Sequence, residues 1–136
     1  MGLIHEPITL VNAGDVIAVR RGYMKDQDIR QVDVNAMVDT GSEMLIINEA
    51  MRLRLGLEIA GRQPVSLANG LTQTCHISEP IEVHWNSRST ITNAAVLDDA
   101  PDVLLGAIPL EGLNVIVDPA AQQLVGKYGD KIMFRV

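Results

Sequence analysis

The sequence predicts a mainly β protein. Short runs in which apolar and polar residues alternate recur along the chain, most clearly at residues 32–38 and 81–85. This alternation is typical of strands with one buried face. Asn69 and Gly70 lie between two further short runs, and Asn-Gly is the strongest short-range signal for a β-hairpin.

The first predicted elements are two short strands, residues 8–11 and 16–20, around a turn at residues 12–15. Polar residues 23–30 predict a loop. The strand of residues 32–38 follows, and the apolar residues 44–47 predict another strand.

A two-turn helix is predicted over residues 49–55. Asn48 is a favourable N-cap, Glu49 suits the positive end of the helix dipole, and Gly56 favours a stop. Met51, Leu53 and Leu55 alternate with arginines in a strand-like pattern, but the capping residues favour the helix.

The hairpin is predicted over residues 64–74, with Asn69 and Gly70 as the central residues of a type I′ turn. Its arms contain few large apolar groups, so we expect it to move easily. A half-exposed strand at 81–85, a turn and a strand at 90–97 complete this region.

The last third predicts a short helix opened by Pro109, with Leu110 and Leu113 on one face. Short strands are predicted at residues 115–117 and 123–125. The tail, residues 131–136, alternates and predicts an edge strand that pairs with another chain.

Asp39 stands out as the candidate catalytic residue. It follows the strand of residues 32–38 and begins the tetrapeptide Asp39-Thr40-Gly41-Ser42. Thr40 and Ser42 can hydrogen-bond the turn, and Gly41 lacks the Cβ that would hinder a close approach. The same residue types also suit an ordinary turn, so the tetrapeptide alone leaves both interpretations open.

A second motif favours the catalytic interpretation. Residues 96–106 end in Leu104, Leu105 and Gly106. Asp-Thr-Gly-Ser resembles the active-site loop of the aspartic proteases, in which an apolar-apolar-Gly strand supports that loop. The resemblance spans about residues 30–126 and is to the single-domain, retropepsin-like members.

The resemblance implies one domain over residues 1–136, a closed or partly open β-barrel of the acid-protease type with one or two short helices and a flap hairpin. The flap tip that holds substrate would be Ala68, Asn69, Gly70 and Leu71. Leu104, Leu105 and Gly106 would support the active-site loop.

The resemblance also implies the chemistry. Peptide hydrolysis needs two carboxylates, so Asp39 from each subunit of a homodimer would activate a water without metal or cofactor. Thr40 would tie the two loops together, and Gly41 would let the carboxylates approach. Retroviral members usually place an ion pair at the positions held here by Glu43 and Ala107, so this bridge cannot form.

Composition limits the other functions. The 136 residues carry a net charge of −6 and no large basic cluster, which argues against a nucleic-acid surface. No apolar run approaches the ~20 residues of a membrane span. The single cysteine, Cys75, and the absence of an Asn-x-Ser/Thr acceptor predict a cytoplasmic protein.

Two alternatives remain at this stage. The same fold could bind peptides as a non-catalytic dimer, since fold alone does not establish activity. A metal-dependent hydrolase could use Asp39 with Asp98, Asp99, Asp102 or Asp118, although the histidines show no ligand spacing.

Overall fold

The computed structural model describes residues 4–100 and 102–136. It is mainly β, with a nine-stranded sheet and a separate two-stranded sheet. The strands are β1 Ile4–Asn12, β2 Gln31–Val38, β3 Leu45–Ile47, β4 Ile59–Ser66, β5 Thr72–Ser78, β6 Ile81–Trp85, β7 Arg88–Thr92, β8 Ala94–Val96, β9 Val103–Leu105, β10 Val115–Asp118 and β11 Gln123–Gly126.

Three α-helices lie within the described residues: α1 Ala13–Arg20, α2 Glu49–Arg54 and α3 Ala107–Gly112. The expectation of one or two helices was therefore too low. A 3₁₀ turn, Asp26–Asp28, interrupts the predicted loop. In this part of the chain, no helix combines the length and apolar character needed to cross a membrane.

The large sheet has the strand order β4-β5-β8-β3-β9-β2-β1-β6-β7. Its two outer strands, β4 and β7, do not pair with each other, so the sheet stays open and is not a closed barrel. β2 lies inside the sheet, antiparallel to β1 and parallel to β9. The alternation predicted for β2 is confirmed, since Val32, Ala36 and Val38 are buried.

The core is built from aliphatic side chains on β1, β2, β3, β6 and β9 together with residues of α2 and α3. Trp85, the single tryptophan, is mostly buried and belongs to this core. Its indole N–H donates to Glu6 Oε2 at 3.3 Å, so the polar edge of a mostly buried ring keeps a partner.

The predicted strand of residues 16–20 is wrong, because this segment is helix α1. Its β-branched residues favoured a strand, but Asn12 caps the helix by accepting a hydrogen bond from Asp15 N–H at 3.1 Å. The Asn12 amide also donates to Leu55 O at 2.8 Å, which ties α1 to the end of α2.

The Asp15 carboxylate holds α1 in place through Arg30. The Arg30 guanidinium donates to both Asp15 oxygens, at 2.9 and 2.8 Å, and the Arg30 backbone N–H donates at 3.0 Å. These hydrogen bonds lower the pKa of Asp15. Gly56 has a φ of +65°, and a Cβ there would lie 1.9 Å from the Arg30 guanidinium, so this arginine packs where only glycine fits.

The α2 prediction is confirmed, since Asn48 Oδ1 accepts from Met51 N–H at 2.9 Å and the helix spans Glu49–Arg54. The short strands β10 and β11 are also confirmed. Helix α3 begins at Ala107, two residues before the predicted start at Pro109.

The predicted strand of residues 90–97 is divided at Asn93. The Asn93 amide donates to Ser78 O at 2.7 Å, and Ala94 N–H donates to Ser78 Oγ at 3.1 Å. These bonds turn the chain so that β7 pairs with β6, while β8 pairs with β3 and β5.

The tail beyond Lys131 forms no strand within the chain, apart from an isolated bridge between Tyr128 and Lys131. The predicted pairing with another chain remains a prediction. Met133 N–H donates to Asn114 Oδ1 at 3.1 Å, and the Arg88 guanidinium donates to Gly129 O, so the start of the tail is anchored beside α3.

Candidate active site

Asp39 lies at the carboxyl end of β2, in an exposed loop. Met37 and Val38 pair with Leu104 and Leu105 of the parallel strand β9. Because parallel strands end at the same edge of a sheet, the Asp39 loop meets the end of β9. Asp39 N–H donates to Leu105 O at 3.0 Å, so a backbone bond to the neighbouring strand sets where this residue leaves the sheet.

The loop itself is closed by hydrogen bonds to Asp39. Gly41 N–H donates to Asp39 Oδ1 at 2.9 Å, and Ser42 N–H donates to Asp39 O at 3.2 Å. A Cβ on Gly41 would lie 3.2 Å from the same Oδ1, tighter than ordinary contact. Thr40 is exposed beside it. The loop therefore orients one oxygen of the Asp39 carboxylate, while the residue stays exposed to solvent.

Gly106 packs directly against the segment that follows the loop. A Cβ at this position would lie 2.4 Å from Met44 O and 2.7 Å from Ser42 O. Gly106 N–H donates to Met44 O at 3.1 Å. Gly106 is therefore required for close approach rather than for an unusual backbone conformation, and the supporting role of Leu104, Leu105 and Gly106 stays a prediction.

Glu43 and Ala107 occupy the positions of the retroviral ion pair. In this chain, backbone hydrogen bonds join the two segments that carry these residues. Ala107 N–H donates to Ser42 O at 2.7 Å, and Ile108 N–H donates to Glu43 O at 2.8 Å. These bonds do not depend on the charge of Glu43 or on an arginine at position 107. They give the loop a support within its own chain.

The predicted hairpin exists, but its turn differs from the prediction. Gly70 has a φ of +85°, whereas Asn69 is not left-handed. Gly70 N–H donates to Leu67 O at 2.9 Å, and Leu67 N–H donates to Leu71 O at 2.8 Å. The loop therefore has three residues, a type I turn followed by a left-handed glycine, and not a two-residue type I′ turn. Asn69 Oδ1 accepts from Leu71 N–H at 3.0 Å, which favours this form.

The hairpin projects away from the core. The tip residues Ala68, Asn69, Gly70 and Leu71 are not buried, and β4 is exposed along almost its whole length. Few buried contacts hold such an element, so it can move relative to the sheet.

A groove of about 740 Å³ lies between the hairpin and the inner strands β3, β8 and β9. Its lining combines apolar, polar and acidic side chains: Ile46, Glu49, Leu67, Gln73, Thr74, Cys75, His76, Val96, Leu97, Asp98, Asp99, Ala100 and Leu104. Of the predicted site residues only Leu104 is among them. Asp39 and the hairpin tip lie outside this lining.

Sequence reasoning missed most of the groove residues. Ile46 and Leu104 are cross-strand partners on β3 and β9, so their side chains share one face. The alternation of β3 and β9 could have indicated them, since Leu45, Ile47 and Leu105 are fully buried on the other face. Cys75 also lines the groove, but its side chain is almost fully buried, and burial raises the pKa of its thiol.

Of the four aspartates considered for a metal site with Asp39, Asp98 and Asp99 are neighbours on one turn, whereas Asp102 and Asp118 are bound elsewhere within the chain. Asp102 Oδ1 accepts from the Asn48 amide at 3.0 Å, and Asp118 Oδ1 accepts from Ala120 N–H at 3.0 Å. Within residues 4–100 and 102–136, no three His, Cys, Asp or Glu side chains form a group that could hold a metal ion. The contacts of Asp102 and Asp118 are those of turn and capping residues.

Comparison with known families gives the deciding observation. A family model described as "gag-polyprotein putative aspartyl protease" matches residues 26–111, which is more than half of the chain. The chain belongs to this aspartyl protease family. The match contains the Asp39 loop, the hairpin, the groove and the Leu104–Gly106 support. No curated protein sequence matches the chain.

Comparison with solved structures shows that this member of the aspartyl protease family has the retropepsin-like fold. The retroviral protease-like domain of Ddi1 from Leishmania major is 20% identical with a TM-score of 0.59, over 97% of this chain and 91% of that one. The EIAV protease, solved with the inhibitor HBY-793, is 15% identical with a TM-score of 0.55, over 81% of this chain and 86% of that one. The acid-protease type of fold predicted from the sequence is therefore confirmed.

Proposed function

We propose that this aspartyl protease family member is an active endopeptidase that hydrolyses peptide bonds as a homodimer. The observation that carries the proposal is the geometry of Asp39. Asp39 is exposed at the carboxyl end of β2, and one carboxylate oxygen accepts from Gly41 N–H at 2.9 Å. Such a group is positioned by its own loop and is free on the side where a second carboxylate and a water would lie.

A single Asp39 cannot perform the reaction alone. One carboxylate must accept a proton from the attacking water while another, protonated, donates to the carbonyl oxygen of the peptide. Each chain supplies one such loop. In a two-fold symmetric dimer the two copies of Asp39 face each other, and at about 3 Å both cannot be ionised, so the pair holds one proton. The reaction then proceeds by direct attack of water, without a covalent intermediate.

The tail supports the proposed dimer. Ile132, Met133 and Phe134 are about half exposed, although large apolar side chains in a row usually find a partner. The start of the tail is anchored beside Asn114, so these side chains occupy a defined place on the surface. A second copy of the chain, which carries the same apolar segment, is the partner that the proposed chemistry requires.

The hairpin and the groove support a peptide as substrate. An extended peptide can satisfy its backbone by adding to neighbouring strands while its side chains enter a groove. The groove of about 740 Å³ lies under the arms of the hairpin, and Leu104 is part of its lining. The next residue, Leu105, accepts a backbone hydrogen bond from Asp39. We assign the hairpin the role of a flap that closes over the peptide.

Digestion of a mixed peptide library tests the proposal. The purified chain is incubated with the library, new termini are identified by mass spectrometry, and Asp39→Asn serves as the blank. The proposal predicts cleavage by the parent chain and none by the variant, because the amide keeps the size of the side chain but cannot accept the proton of the water. Binding of peptides without cleavage by the parent would favour the non-catalytic peptide-binding module instead.

A further inference from the structure

The groove between the hairpin and strands β3, β8 and β9 has an apolar floor. Ile46 and Leu104 pair across β3 and β9, and both line the groove together with Val96 and Leu67. This surface suits the aliphatic part of a substrate side chain. The floor of the groove therefore offers apolar contacts whatever the charge at its rim.

The rim of the same groove is acidic. Three carboxylates line it, those of Glu49, Asp98 and Asp99, and its described lining contains no lysine or arginine. Glu49 is already paired, since the Arg52 guanidinium donates to both of its oxygens, and these hydrogen bonds lower the pKa of Glu49. Among these three carboxylates, those of Asp98 and Asp99 therefore have no bonded cation.

The turn that carries Asp98 and Asp99 is fixed to strand β3. Leu97 N–H donates to Ile47 O at 3.0 Å, and Ala100 N–H donates to Leu97 O at 3.2 Å. Both aspartates are exposed, and across the described chain neither side chain takes part in an ion pair or a side-chain hydrogen bond. Their carboxylates thus remain available to a bound molecule.

We propose that this groove selects substrates with a lysine or arginine side chain, whose methylenes pack on the apolar floor while the cationic end meets Asp98 and Asp99. Lysine and arginine commonly bury their aliphatic stems and leave the charged head near water, and this matches a groove with an apolar floor and an acidic, solvated rim. The proposal rests on the proposed function and specifies its substrate class. An acidic side chain at the same position would meet like charge and be disfavoured.

The test compares four proteins: the parent chain, Asp98→Asn/Asp99→Asn, Asp26→Asn/Asp28→Asn and Asp39→Asn. The second double variant is the matched control, since it removes the same charge from the exposed 3₁₀ turn, outside the groove lining. Library digestion gives the residue preference at each position around the cleaved bond. Competition between peptides that differ only by Arg, Met or Glu at the enriched position then gives ratios of kcat/KM.

We expect one position enriched in lysine and arginine for the parent chain and for the control. In the groove variant the preference for Arg over Met should fall about tenfold, since two solvated charge pairs each contribute modestly. Added salt should weaken the preference of the parent in the same direction. Cleavage without basic enrichment, or enrichment that survives in the groove variant, would overturn the inference but leave the proposed function standing.

A binding measurement separates the inference from catalysis. Fluorescence anisotropy of labelled, extended apolar peptides with a single Arg, Met or Glu is measured on the Asp39→Asn protein, with and without the groove substitutions. Tighter binding of the Arg peptide that is lost with Asp98→Asn/Asp99→Asn supports the inference even if no peptide is cleaved. Equal binding of the three peptides contradicts it.

Discussion

Replacing Gly106 by alanine probes the support of the Asp39 loop. The new Cβ would lie 2.4 Å from Met44 O and 2.7 Å from Ser42 O, and both are backbone atoms. To reach an ordinary contact of 3.4 Å, the two segments must separate by about 1 Å. Three hydrogen bonds join them at this place, from Gly106, Ala107 and Ile108. At about 1 kcal/mol each, their weakening lowers the free energy of unfolding by roughly 3 kcal/mol.

The same displacement should reduce activity, because a misplacement of about 1 Å can lower a rate about a hundredfold. Urea denaturation measures the stability of Gly106→Ala, and hydrolysis of a cleaved peptide measures the rate. Gly61→Ala is the matched control, since a Cβ at Gly61 meets nothing within 4 Å, and it should change stability by less than about 0.5 kcal/mol. If Gly106→Ala unfolds and cleaves like Gly61→Ala, the proposed support of the loop is refuted.

Three further predictions concern other parts of the chain. Asp15→Asn should lower the free energy of unfolding by about 2 kcal/mol at pH 7. Because the pKa of Asp15 lies below its ordinary value of 3.8 in the folded chain, this contribution is present above that pH and disappears as pH falls through the folded pKa. Urea denaturation curves from pH 7 to 2.5 should therefore show parent and variant converging in acid, and a constant difference would contradict the ion pair with Arg30. Cys75 should react with a disulfide reagent only as fast as its strand opens, because burial disfavours the thiolate; prompt labelling of the native protein at pH 8 would contradict the packed thiol. Phe134→Ser should weaken dimerisation about tenfold or more in sedimentation velocity, while an unchanged dissociation constant would exclude the tail from the interface.

The parts of the fold that could be predicted from the sequence are those with strong local signals. Alternation located β2 and β6, and Asn48 with Gly56 located α2. The Asp39 loop and the Leu104–Gly106 motif could each be recognised, and the parallel pairing of β2 with β9 explains why they meet.

The errors have identifiable physical causes. Helix α1 contains β-branched residues that favour a strand, but the Asn12 cap and the distant Arg30, bound to Asp15, stabilise the helix. Asn69 and Gly70 fit both a two-residue and a three-residue hairpin loop, and the hydrogen bond from Leu71 N–H to Asn69 decides between them.

The groove as a whole could not be predicted because its walls come from five separate segments of the chain. Ile46, Thr74, Val96 and Leu104 meet only through the order of strands in the sheet. No spacing within one segment indicates this order. The cytoplasmic location and the homodimer stay predictions from the sequence.

Mixing the parent chain with Asp39→Asn tests most directly whether the two copies of Asp39 act together. Peptide hydrolysis is measured at a fixed amount of parent chain, after the variant has been added and subunits have exchanged. If each active site needs Asp39 from two chains, random pairing with an equal amount of variant should reduce the rate to about half, and larger amounts should reduce it further. A rate that stays constant however much variant is added would contradict the shared site.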